Sequence, residues 1–480
     1  MKERRQRAPL PAGFGAIWVT VAVDLIGFGI VLPILPRYAQ DLHVTPTVIG
    51  LLVGSFSLAQ LICAPLLGRL SDRIGRKPVI LVSLCGTAVG SVLTGLAGTV
   101  WLLLLGRLVD GASGASVSVA QAAAADLAEP NQRPRLFGLL GAAFGVGFVL
   151  GPAIGALAAL GGPRVPFFVA AAIAGTNALL AVRRLPETHG PRRTIAMPAT
   201  VPVDSAGVHA GGNSVASETA SERPIVVDSL GAAGSPSVLN GQPPRGVRTA
   251  GLAVLPGQVW ALIVVAFTAL VAFSGFEGTF SLLVKDRFHL TLSGTGAVFT
   301  VIGVALVLVQ AGLIHPLSAR YDEGTILRGG LLFNGAGLVL LSVDASWFSL
   351  VPALLLLVLG QGLVSPTMSS AVAGRAAPSQ RGRTLGYQQS AGSLARFVGP
   401  FLAGALYQHV AIGAPYFVGG VLVALALFLV PSRPPATEEP PARRSRVDPS
   451  VVVGAEGTGG AGISRRRLGR FARARVVTQR

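Results

Sequence analysis

Gly68-Arg69-Leu70-Ser71-Asp72-Arg73-Ile74-Gly75-Arg76-Lys77 stands between two almost wholly apolar runs, 48–67 and 78–98, and puts five charges and two glycines into ten positions. So abrupt a stop needs a reason, and composition supplies the first part of it. Only 12% of the 480 residues are charged and 51% are hydrophobic, whereas soluble domains carry about 25% charged residues. Apolar runs of about 20 residues at that charge density point to a chain that crosses a membrane repeatedly.

Twelve such runs are legible: 13–35, 48–67, 78–98, 101–125, 136–160, 165–182, 258–283, 293–315, 326–344, 347–373, 384–408 and 413–431. Backbone polar groups cannot go unpaired in hydrocarbon, so the runs are expected to be helices. The first is too long for a signal-peptide core and is read as a retained span. With the N-terminus in the cytoplasm, all but six of the 39 Lys and Arg residues fall in cytoplasmic segments. The six are Arg37, Arg164, Lys285 and Arg287 outside, and Arg107 and Arg396 within spans. The net charge of +18 therefore reports topology, a multi-pass protein of the cell membrane with both termini cytoplasmic, and not a nucleic-acid partner. Cys63 and Cys85 both lie in apolar runs, which excludes a disulfide framework. No phosphate loop, metal-ligand cluster or nucleophile triad is present in the sequence, so neither an enzyme nor a cofactor is expected.

Residues 183–257 are rich in Gly, Ser, Pro, Ala and Thr and lack hydrophobic periodicity. They read as a disordered cytoplasmic linker between a six-helix half (1–182) and a second six-helix half (258–431), followed by a basic disordered tail (432–480). The halves are related. "NQRPRLFG" (131–138) and "SQRGRTLG" (379–386) share Gln-Arg-x-Arg-x-x-Gly, and Gly151-Pro152 matches Gly399-Pro400, all at an offset of 248 residues. A duplicated membrane chain places a binding cavity between its repeats near the midplane.

Ionisable residues inside spans are few: Asp24, Arg107, Asp110, Glu277 and Arg396, with Asp126 and Asp344 at span ends. Each charge at the bilayer centre costs about 2.5–3.5 kcal/mol on insertion scales, so each needs a partner or water. Arg107 and Asp110 are three apart, share a helical face and can neutralise each other. Asp24 and Glu277 have no such neighbour in their own helices. Each sits in the first helix of its half, where both would face a shared cavity and contact protons or substrate. In span 5, glycines four apart (Gly147, Gly151, Gly155) allow close helix approach, and Pro152 removes a backbone hydrogen bond.

The decapeptide at 68–77 closely resembles the signature loop of the major facilitator superfamily. "DLIGFGIVLPILP" (24–36), "GRLVDGASGA" (106–115) running on to Asp126, and "FEGTFSLLVKDRF" (276–288) are similar to helices 1, 4 and 7 of its twelve-helix drug:proton antiporters, especially the tetracycline-efflux branch. "GFVLGPAIGA" (147–156) resembles the fifth-helix motif associated with antiport. The resemblance implies an all-α fold of two six-helix bundles and a monomeric secondary transporter that exchanges small hydrophobic or cationic compounds for protons. It implies that Asp24, Arg107, Asp110 and Glu277 handle proton or substrate. It further implies a cytoplasmic gate of Gly68, Asp72, Arg73, Gly75, Arg76 and Asp126, in which Arg76 pairs with Asp126, Asp72 faces the start of span 11 near Thr384, and the two glycines make a tight turn. The second-half echo, "PLSARYDEG" (316–324), carries Ala319 in place of the acid. Two other readings stay open: a facilitator or symporter importing a sugar or organic acid, and a non-transporting membrane sensor.

Overall fold

A computed structural model describes residues 10–129, 132–188, 257–343, 346–376 and 380–431. The linker from 189 to 256, the tail from 432 onward and Asp344 lie outside the described residues. Every regular element among the described residues is helical. In the first half these are α1 (Phe14–Asp41), α2 (Pro46–Ile74), α3 (Arg76–Leu96), α4 (Val100–Ser113), α5 (Ser116–Leu127), α6 (Arg133–Ala158) and α7 (Val165–Arg184). In the second they are α8 (Gly257–Phe288), α9 (Leu292–Gly312), α10 (Ile314–Ser318), α11 (Glu323–Ser342), α12 (Trp347–Arg375), α13 (Arg381–His409) and α14 (Ala414–Ala426).

Helix starts follow local chemistry. Pro46 opens α2 behind an extended Thr45, and Thr99, Thr291 and Asp322 accept backbone N–H groups at the starts of α4, α9 and α11. Among the described residues, ten helical segments are long and apolar enough to cross a membrane. The expected eleventh and twelfth spans are helical as well. One, α13, is 29 residues long but carries Arg383, Gln388, Gln389 and Arg396, and α14 is apolar but short. The outer surface is apolar, with Ile62, Leu179, Val301, Leu308 and Phe348 exposed, as a lipid-facing surface requires.

Two features depart from the sequence expectation. The basic decapeptide is not a loop: α2 runs through Gly68 to Ile74, α3 begins at Arg76, and only Gly75 joins them. Gly75 has φ +106°, in the region glycine favours, whereas Gly68 is mid-helix and makes no turn. The fourth span is broken at Gly114–Ala115, which starts a new helix at Ser116.

The duplicated Gly-Pro pairs do the same work in each half. Gly151 packs on Gly29 and the Ile26 carbonyl of α1, and Gly399 packs on Ser274, Gly275 and the Val271 carbonyl of α8. The same two helices also cross to the other half. Gly50 and Gly54 of α2 lie against the backbone of Pro400 and Phe397 of α13, and Gly404 lies against Pro46. On the other side, Gly296 and Gly303 of α9 lie against Ala156 and Phe148 of α6. The Phe148 carbonyl is the one Pro152 leaves without a helical donor.

All these contacts lie towards the end of the bundle away from Gly75. Towards the Gly75 end, a Cβ placed on Gly68, Gly138, Gly141, Gly312, Gly382 or Gly386 would meet nothing within 4 Å. Among the described residues, the close backbone contacts between the halves gather at the end of the seam away from Gly75.

Candidate functional site

Charged groups inside the helices gather into one cluster per half. In the first half, Arg107 and Asp110 of α4 are both buried, and Arg107 Nη1 donates to Asp110 Oδ2 at 2.9 Å. Thr87 of α3 also hydrogen-bonds Asp110. The Arg107 guanidinium sits 4.8 Å from the centre of the Phe56 ring, a cation–π contact from α2. Its Nε is buried and has no hydrogen-bond partner. Asp24 of α1 accepts from Ser116 Oγ at 2.5 Å, and Asp110 is close enough for its charge to act on Asp24. The break at Gly114–Ala115 puts Ser116 at the start of α5, where its hydroxyl reaches α1.

In the second half, Glu277 of α8 has the Arg396 guanidinium of α13 as its electrostatic partner. Glu277 also lines a small cavity of about 20 Å³ with Phe148, Phe273, Phe276, Phe299, Ile302 and Leu306, where α1 and α6 meet α8 and α9. Asp24, Arg107 and Asp110 do not line this cavity. Asp24 turns to α5 within its own half, and Glu277 looks onto the seam.

At the α2–α3 joint, Arg76 is the hub. Nη1 pairs with Asp72 Oδ1 at 2.7 Å and donates to Ser71 Oγ at 2.6 Å, and Nε pairs with Asp126 Oδ2 at 3.1 Å. Asp72 is held by Arg76 and its side chain is 59% exposed, while Thr384 is buried with its hydroxyl donating to the Gln380 carbonyl. Arg73 is exposed. Gly147, Gly151 and Gly155 all face α1 as close-packing positions, against Leu25, Gly29 and Ile30.

Four partners escape sequence reasoning. Ser116 and Thr87 carry no signal, being ordinary small polar residues in spans. Arg396 does carry one, the cost of an arginine in a membrane, but nothing local ties it to Glu277, 119 positions away. Glu187 reads as the start of the linker, yet its carboxylate accepts from the backbone N–H groups of Arg76 (2.9 Å) and Lys77 (3.2 Å) at the start of α3. Glycine at 75 leaves the room that carboxylate fills.

The family description "Major Facilitator Superfamily" matches residues 17–315 and 262–477. The chain belongs to the major facilitator superfamily. Within the superfamily it is 30% identical over 415 residues to the class C tetracycline resistance protein of Escherichia coli, covering 85% of this chain and 93% of that one. The human organic anion transporter MFSD10 (TETRAN) is similar in structure, with a TM-score of 0.59 and 26% identity, over 87% of this chain and 99% of that one. A bacterial homologue of the human lysosomal transporter Spinster, solved inward-facing and occupied, shares the fold at a TM-score of 0.63 and 14% identity, over 87% and 95% of the two chains. As a superfamily member, the protein is a multi-pass secondary transporter and not an enzyme.

Proposed function

We propose that the protein exports small, largely hydrophobic or cationic compounds across the cell membrane in exchange for protons, as a monomer with both termini in the cytoplasm. The reading rests chiefly on Asp24, a membrane-interior carboxylate whose hydrogen-bond partner is a neutral hydroxyl and whose nearest charged influence is another carboxylate. A carboxylate without a cation can bind and release a proton as the site changes. Glu277 adds a single acid to an otherwise apolar, aromatic cavity on the seam, a setting that suits a lipophilic cation. The similarity to a tetracycline resistance protein supports export.

With the basic end in the cytoplasm, the closed end faces outward and the open end inward. Closure at the cytoplasmic end would bring Asp72 to the start of α13, where unpaired N–H groups and the helix dipole favour a carboxylate by about 0.3–1 kcal/mol. Proton occupancy at Asp24 then biases the two states, a difference of a few kcal/mol being sufficient. Inverted vesicles should release protons when a transported compound is added, and Asp24→Asn should abolish that release while leaving the protein folded. Transport indifferent to a pH gradient overturns the reading.

A second substrate class is favoured by one observation. Arg107 is buried with Nε unsatisfied, and one structural relative is an organic anion transporter. An anion competing for transport, with its affinity lost in Arg107→Gln, would select that class.

A further inference from the structure

At the closed end of the seam, two cations cross between the halves in opposite directions. Arg37, near the C-terminal end of α1, donates from Nη1 to the Leu290 carbonyl just beyond α8 at 3.0 Å. Lys285, near the C-terminal end of α8, donates from Nζ to Gln40 Oε1 of α1 at 2.7 Å. The two stand 248 residues apart, the register that relates the duplicated motifs. Both parent helices then end alike, on a histidine in the left-handed region, His43 at φ 59° and His289 at φ 53°. We infer that Arg37 and Lys285 form a reciprocal latch that holds the transporter shut at this end, each half contributing one cation to the other.

The choice of acceptors suits a contact broken in every cycle. A carbonyl and a carboxamide hold a cation without the deep desolvation that a buried cross-seam ion pair would impose on reopening. Release does not strand either charge. Both cations lie near helix C-termini, where the macrodipole favours positive charge, and Arg37 keeps the carboxylate of Asp41, one turn further along its own helix, while Asp286 of the other half attracts it in the closed arrangement. Asp286 is itself fixed by the Tyr407 hydroxyl at 2.6 Å within the second half. A third crossing bond, from the Thr47 N–H to Gln408 Oε1 at 3.2 Å, carries no charge.

The test reads conformation, so it stands apart from the direction or coupling of transport. In a Cys63→Ala, Cys85→Ala background, spin labels at exposed Thr45 and Ala411 report the separation of the halves at this end in lipid nanodiscs. Arg37→Met and Lys285→Met should each raise the ratio of long to short distances about tenfold, the effect of losing one charged hydrogen bond. Arg37→Lys and Lys285→Arg, which keep the cations, should stay near the parent. Gln40→Met removes one acceptor without touching a charge and should shift the ratio the same way. Parent-like distances in the methionine variants overturn the latch. Where those variants do not fold, a parent-like Gln40→Met overturns it instead.

Discussion

The two ends of the seam between the halves are built from different materials. At the closed end, glycines press against opposing backbone, and Arg37 and Lys285 donate to neutral oxygens. Towards the open end lie the ion pairs Arg76–Asp72, Arg76–Asp126 and Glu323–Arg375, each confined within one half. Strong charge pairing stiffens what moves as a unit, while the surface that must separate uses contacts that reform without stranded charge. The halves also differ from each other. The pairing at the start of α3 is Arg76 to an acid at the end of α5, and at the start of α11 it is Glu323 to Arg375 at the end of α12, with the signs exchanged. Ser370 Oγ adds a hydrogen bond to Glu323 at 2.5 Å.

The largest effect should come from spoiling close approach at the closed end. A side chain at Gly50 runs into the Pro400 carbonyl, so Gly50→Leu should abolish transport and lengthen the Thr45–Ala411 distance. Gly386→Leu, at the open end where nothing lies within 4 Å, should leave the structure in this state intact. Equal transport by the two variants would erase the contrast between the ends.

Breaking a pair inside one half should act on stability instead. Arg107→Ala leaves Asp110 buried without its cation, a change worth about 3–5 kcal/mol. Thermal unfolding should show that loss in Arg107→Ala and recover much of it when Asp110→Asn is added.

The smallest effect concerns how the halves cap equivalent helices. Asp322 caps α11 from within, its carboxylate accepting from the Thr325 N–H at 3.0 Å and hydroxyl at 2.6 Å. Those bonds favour the charged form and hold its pKa below the usual carboxylate value. The folded pKa being depressed, its contribution is present above the unfolded value of about 3.9 and is lost as pH falls through the folded pKa. The difference in melting midpoint between parent and Asp322→Ala should therefore be small near neutrality, since the group is exposed, and shrink further in acid. A difference that grows on acidification contradicts the assignment.

Much of this was legible beforehand. The apolar runs and the Arg107–Asp110 pair followed from composition and spacing, because an arginine in a membrane must find an acid within reach, and the Arg76–Asp126 pair followed from the resemblance of the decapeptide to the superfamily's signature loop. Gly68 misled: the same residue that helps a turn is tolerated in a helix, and the first seven residues of the decapeptide, Gly68 to Ile74, continue α2 instead of looping. Glu187 misled in the other direction, since a carboxylate in a polar segment carries no mark of the helix it will cap.

By itself the sequence determined the helices, their alternating basic ends and the doubling of the chain. Lipid obliges every segment to satisfy its own backbone and sort its own charge, so each run carries that information locally. Only the tertiary structure decided that Ser116 answers Asp24, that Arg396 answers Glu277 and which end of the seam is closed. Those outcomes depend on packing between residues far apart in the chain, and one sequence must serve both the open and the closed end in turn.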